Sequence, residues 1–309
     1  MNRIPLFLSL LLFFSACQQR DKTGKIIDTP TTGQIRIMVD ECYKPVIASA
    51  LDVFDTIYPR ATIEAVYTSE GEALAALLRD STQVIIIARA LTETEINKHF
   101  KPRGFTPPMT AIAHDGIAFI VHPENRDTVF TPDQLRDFLS GKVTQWRDVN
   151  PKSTLGDIML VFDNPLSGTV RYLKDSIGGG APMPANASAV QTNEEVIKYV
   201  AKNKNAIGIL GANWISDTDD KGVQAFLREI KLVDIAKTPG GVGYGPYQSY
   251  LITGKYPFQR TLYVINAQAR TGLGLGLAAF LASDPGQRIM HKDGLVPATA
   301  PMRVIQIRR

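Results

Sequence analysis

The residues best placed to do chemistry in this 309-residue chain are hydroxyls and backbone amides at strand-to-helix turns. The clearest set is Ser167-Gly168-Thr169. Ile158 to Phe162 before it reads as a buried strand, while Val170, Leu173 and Ile177 after it share one helix face. The first turn of a helix gathers unpaired N–H groups and the positive end of the helix dipole, so it suits an anion. The two hydroxyls add donors, and Gly168 lets a ligand approach the backbone. This is chemistry for holding a negative group, not for breaking a bond.

Three other segments occupy equivalent places: Asp40-Glu41-Cys42-Tyr43-Lys44, Thr68-Ser69-Glu70-Gly71 and Ala88-Arg89-Ala90-Leu91. With Asp163 to Thr169 they form four loops expected to converge. Ser69 with Glu72, and Thr92 with Glu95, also have capping-box spacing, so Ser69 could serve its own helix alone. Ser167 and Thr169 carry the same ambiguity. Arg89 ends an apolar strand, and its planar donors suit bidentate capture of an oxyanion; an ordinary ion pair is the competing reading.

Enzyme signatures are missing. Ser167 lacks the flanking glycines of a nucleophile elbow, and no Gly-x-x-x-x-Gly-Lys-Ser/Thr occurs. The histidines His99, His114, His122 and His291 have no metal-ligand spacing. Gly241-Val242-Gly243-Tyr244-Gly245 is fed by no apolar strand and reads as a loop. No catalytic residue, cofactor or metal is expected, and Cys42 reads as a small buried hydrophobe.

The elements that must position these groups alternate. Ile35 to Val39, Thr62 to Tyr67 and Val84 to Ile87 read as strands, with helices after each: from Pro45, through Leu74 and Leu77, and from Thr92 to Phe100. That order predicts a parallel sheet with helices on its faces and ligands beyond the carboxyl ends of its strands. Ile112 to His122 reads as a long strand leaving this first unit. A helix from Thr131, the strand before Ser167, a helix from Asn193 and a strand Ala206 to Leu210 follow. Tyr250 to Ile252 and Thr261 to Ile265 read as returning strands, and helices near Leu275 and Asp284 close the chain.

The N-terminus has Arg3, the apolar run Ile4 to Phe14 and Ser15-Ala16-Cys17, the pattern of an export signal. The run is shorter than the roughly 20 apolar residues a bilayer span needs. A Cys after Ser-Ala resembles a lipobox, making Cys17 the lipid attachment site; a plain cleaved signal is the alternative. Residues 1–16 are thus expected to be a signal peptide and 17–34 a lipidated flexible tether. Losing residues 1–16, whose one charged side chain is Arg3, lowers Lys+Arg from 34 to 33 against 30 Asp+Glu. So small a surplus, dispersed along the chain, argues against a nucleic-acid partner. With Cys17 lipidated, Cys42 has no partner for a disulfide.

At this point the chain resembles the phosphate-binding proteins of bacterial ABC importers, of the type 2 periplasmic binding-protein fold, and most closely the lipoprotein variants of Bacteroidetes. The residues that carry the resemblance are Ser167-Gly168-Thr169, Thr68-Ser69-Glu70-Gly71, Tyr256 to Tyr263, Leu139 to Trp146 and Asp284 to Ile289. The resemblance implies an α/β fold of two lobes, each a mixed, mostly parallel sheet flanked by helices, joined by a two-strand hinge. Lobe I would comprise 35–113 and 260–309, and lobe II 114–259. It implies capture of phosphate or a similar tetrahedral oxyanion by Ser167, Gly168 and Thr169 from one lobe and by Cys42, Tyr43 and Ser69 from the other. Two positions depart from the family: Arg89 stands where an acid is usual, and Asp163 where an arginine is usual. Arg89 is therefore expected to replace the missing guanidinium, with Asp163 pairing with it or accepting from a protonated ligand. An ABC permease is the implied partner, the cell envelope the place, and a monomer the state. Another anion, or a phosphate sensor without transport, is the alternative.

Overall fold

The structure is a computed structural model that describes residues 28–217 and 219–299. The expected signal peptide, Cys17 and residues 17–27 of the expected tether lie outside them.

The first unit runs β1 (Gly33–Asp40), α1 (Lys44–Ile57), β2 (Ala61–Thr68), α2 (Glu70–Leu78), β3 (Val84–Ile87) and α3 (Glu93–His99). The long β4 (Met109–Val121) follows. Then come β5 (Val129–Phe130), α4 (Pro132–Leu139), α5 (Trp146–Val149), β6 (Met159–Phe162), α6 (Gly168–Tyr172), β7 (Ala187–Ala189), α7 (Asn193–Lys202) and β8 (Ala206–Gly211). The chain continues through α8 (Lys221–Glu229), β9 (Lys231–Leu232), β10 (Asp234–Ala236), β11 (Gly243–Tyr244) and α9 (Gln248–Ile252). It returns as β12 (Gln259–Asn266), α10 (Leu273–Ala282), α11 (Asp284–Lys292) and β13 (Val296–Pro297).

The main sheet has the order β2-β1-β3-β12-β4-β8-β6-β7. β1 lies parallel to β2 and β3, as strand–helix–strand units require, and β6 lies parallel to β7 and β8. β4 belongs to both halves. Its residues 109–116 pair antiparallel with β12, and Ile117 onward pairs antiparallel with β8. Thirteen residues of one strand thus carry the chain from lobe I to lobe II. β1 to β3 and β12 build lobe I, and β6 to β8 build lobe II.

Each lobe has its own apolar core. In lobe I, α1, α10 and α11 cover the sheet, with Phe54 edge-on to Phe280 at 5.3 Å. In lobe II, Phe130, Phe138 and Trp146 pack together, and Trp146 Nε1 donates to Asn205 O at 2.9 Å. A buried indole needs such a partner.

Two expectations change. Tyr250 to Ile252 is helical, within α9, because a short apolar run does not by itself distinguish strand from buried helix. Residues 28–34 are docked and not a loose tether. Asp28 Oδ1 accepts the Leu273 N–H at 2.7 Å, serving the N-terminus of α10, and Gly33 begins β1. The Pro30 carbonyl lies 1.8 Å from where a Cβ on Gly276 would stand, so glycine there admits the incoming chain. No helix among the described residues is long and apolar enough to cross a membrane.

Candidate functional site

The site lies where the carboxyl ends of β1, β2 and β6 meet across the lobes. β1 ends in Asp40, whose Oδ1 accepts the Cys42 N–H at 3.2 Å and so turns the chain into Glu41–Tyr43. β2 ends at Thr68, and Ser69 caps α2 with a complete capping box to Glu72. β6 is followed by Asp163 and by Ser167, which caps α6 by accepting the Val170 N–H at 3.2 Å. α6 continues as the π-helical turn Leu173–Ile177. Both ambiguous serines are therefore caps, and both still face the cleft.

A cavity of about 160 Å³ lies between the lobes. Ser69, Glu72 and Tyr67 line it from lobe I, and Asp163, Ser167 and Thr192 from lobe II, with Asp40 and Glu41 at its base. Cys42, Tyr43, Gly168 and Thr169 are buried and do not line it.

The lobes touch. Gly71 N donates to Leu166 O at 2.9 Å, Asn193 Nδ2 to Glu41 Oε2 at 2.8 Å, and Trp214 Nε1 to Cys42 O at 2.8 Å. Gly168 sits at the tightest point. Its N–H donates to Asp40 Oδ2 at 3.3 Å, and a Cβ there would meet Asp40 Oδ2 at 2.6 Å and Glu70 Oε2 at 2.7 Å. Any side chain at 168 would collide with two carboxylates.

Acid dominates the electrostatics. Burial pushes Asp40 up to about 8; the Arg260 charge opposes this, while Glu70 and Asp163 add to it. Burial pushes Asp163 up to about 7, against the lowering effect of its bond from Ser167 Oγ at 2.5 Å and of Arg260. Glu41 is also raised by burial, opposed by its bonds from Asn193. Near neutrality the cleft can therefore hold carboxyl protons and donate them as hydrogen bonds.

Arg89 is placed differently from expectation. Its guanidinium bonds Glu95 at 2.6 and 2.9 Å and the Ala90 carbonyl at 2.8 Å, and lies 3.9 Å from Glu70. Glu95 is the capping-box acid of α3, so Arg89 finds a carboxylate beside its own strand end. Asp163 does not pair with Arg89; its partners are Ser167 and Asn193, the latter at 3.2 Å. Glu70 stands between Arg89 and Gly168, held from lobe II by Arg171, which also donates to Ala88 O at 3.1 Å.

The guanidinium nearest the buried hydroxyls is Arg260 of β12. It donates to Asp115 at 3.1 Å and to Cys42 Sγ at 2.8 Å, reaches Thr169 Oγ1 at 3.4 Å, and lies 5.1 Å over the Tyr43 ring. Arg260 lies in the Tyr256 to Tyr263 segment and is not among the expected ligand residues. A signal was there, because Arg260 shares strand parity with buried Leu262 and Val264, and its register partner is Asp115 in apolar β4. A charge on the inward face of a core strand needs an inward partner.

A sequence profile of the PBP superfamily domain matches residues 27–285. The chain belongs to the PBP superfamily. Among relatives of this superfamily member is the Phosphate-binding protein PstS of Staphylococcus saprophyticus, 25% identical over 239 residues that cover 77% of this chain and 71% of that protein. Among solved structures, a Clostridium perfringens protein with bound phosphate, assigned as a phosphate ABC transporter substrate-binding protein, superposes with a TM-score of 0.71 at 21% identity. It covers 86% of this chain and 100% of that one. An ABC-type phosphate transport receptor from Vibrio cholerae superposes with a TM-score of 0.65 at 19% identity, over 85% and 99% of the two chains. The two-lobed α/β architecture of this superfamily member is shared with them.

Proposed function

We propose that the chain captures phosphate, or a similar small tetrahedral oxyanion, in the cleft between its lobes and delivers it to an ABC importer without chemical change. The observation that carries this is the cavity of about 160 Å³ walled by Ser69 from one lobe and Ser167 from the other, at the starts of two helices. Phosphate binding by relatives of the same fold supports it. The ligand would take the hydroxyls of Ser167 and Ser69, turned away from Asp163 and Glu72, and the Gly168 N–H, from which it must displace Asp40. Arg260 supplies positive charge from behind Cys42 and Thr169, and protonated Asp163 and Asp40 act as donors. The chain would be exported and held at the envelope by a lipid on Cys17, acting as a monomer. A ligand gripped by both lobes favours closure because closure adds contacts the open state lacks.

Titration calorimetry with phosphate, sulfate and molybdate tests this. Phosphate is expected to bind with one site per chain, and more weakly as pH rises from 6 to 8. The sign follows from the raised acids: Asp163 and Asp40 lose their protons across that range, and the resulting charges join Glu41 and Glu70 against an anion. Absence of saturable binding of any oxyanion at pH 6 would overturn the proposal.

A further inference from the structure

A second cavity, of about 270 Å³, shares no lining residue with the cleft. Its walls come from both lobes: Ser49 of α1 and Asp293 after α11 on one side, Asn213, Trp214, Asp217 and Phe226 on the other. Two of these residues are buried with polar atoms that make no hydrogen bond. Asn213 is 3% exposed, with neither side-chain Oδ1 nor Nδ2 paired, and Asp293 is 6% exposed, with the Ser49 hydroxyl beside its carboxyl and Oδ2 making no hydrogen bond. Leaving such groups unpaired costs about 1–3 kcal/mol each, so a pair of them in one cavity wall asks for a partner.

Charge and shape define that partner. Asp293 and Asp217 bring two carboxyls, and Asp220 on the same wall is committed to capping α8 through the Val223 N–H at 2.9 Å. The opposing cation is Lys292, 3.6 Å from Asp217. The wall is therefore net acidic, and Trp214 and Phe226 add aromatic surface. No group of three or more His, Cys, Asp or Glu among the described residues could hold a metal ion, so the acids here are not a metal cage.

We propose that this cavity binds a small organic cation: a protonated primary amine with a short apolar body. Its ammonium donates to the Asp293 carboxyl and the Asn213 amide oxygen once these side chains turn into the cavity, and its apolar part packs against Trp214 and Phe226. Because the walls belong to different lobes, an occupant ties them together as a cleft ligand would, from a separate place.

Thermal shift and titration calorimetry on the purified protein, with benzylamine and n-butylamine against benzyl alcohol and 1-butanol at matched ionic strength, test this. The amines are expected to raise Tm and bind saturably, and the neutral alcohols are not. Asp293→Asn, nearly isosteric, and Phe226→Ala are each expected to weaken amine binding about tenfold or more. Neither substitution touches the cleft, so phosphate binding should persist in both and stands as an independent readout of folding. Equal binding of alcohols and amines, no amine binding up to about 10 mM, or unchanged amine affinity in folded Asp293→Asn would each overturn the proposal.

Discussion

Asp40 has no exposure to solvent and ends a strand among other acids, so its ionised form is disfavoured by burial first and by Glu70 and Asp163 next. A carboxyl raised from 3.8 to about 8 on folding keeps its proton in the native state where the unfolded chain has lost it. Native protein then binds more protons between those values, and stability falls as pH rises through the window. Thermal unfolding between pH 5 and 8 should show that fall, on the order of a few kcal/mol across it, and Asp40→Asn should flatten it. An unchanged slope in the variant would remove Asp40 as the cause. Arg89→Ala is expected to cost about 1–3 kcal/mol by unpairing Glu95 and weakening the hold on Glu70, while leaving phosphate affinity within about threefold. A larger affinity loss in calorimetry would return Arg89 to the ligand. At this scale the chain's pattern put Ser69, Ser167 and Gly168 at strand-to-helix turns, where the structure has them, because turn chemistry is local. It did not show which guanidinium lies beside the buried Thr169 hydroxyl, because that depends on register: Arg260 opposes Asp115 only once β12 lies beside β4.

Caps and ligand contacts can be told apart at the scale of an element. Ser69 on α2 and Thr131 on α4 have the same complete capping box, yet Ser69 lines the cleft and Thr131 lies in the core of lobe II. Alanine at either should cost about 1 kcal/mol of stability, the usual value of such a cap. Only Ser69→Ala should also weaken phosphate binding, which paired calorimetry and urea unfolding will separate. Gly168→Ala should abolish binding in the closed form, because its methyl would overlap Asp40 and Glu70. Elements with strong periodicity or caps were legible in advance: the three alternating strand–helix units, α4 from Thr131, and α7 from Asn193. The segment Tyr250 to Ile252 was not, since three apolar residues fit either period and the choice was made by packing beneath β4 and β13.

Polar ties between the lobes include Gly71 to Leu166, Asn193 to Glu41, Trp214 to Cys42 and Arg171 to Glu70. Removing one should shift the balance between open and closed states. Arg171→Ala leaves Glu70 buried without its cross-lobe partner, and small-angle scattering should show a larger radius of gyration before phosphate is added and recovery after. Identical scattering from both proteins would mean that this pair does not hold the cleft shut. The two-lobed plan was implied by the resemblance, and the βαβ series, the long exit strand and the returning strand at Thr261 to Ile265 are consistent with it. The point of passage is at Gly116 and Ile117, where β4 changes partner directly after His114-Asp115-Gly116, a polar break within the strand that the chain crosses without turning.

Asp28 and Pro30 join the incoming chain to lobe I, beside α10, before β1 begins. Under the proposed lipid anchor, a pull along the chain into Asp28 would load that lobe alone. It would then be the stationary jaw, and the half bearing Ser167 would be the one to swing.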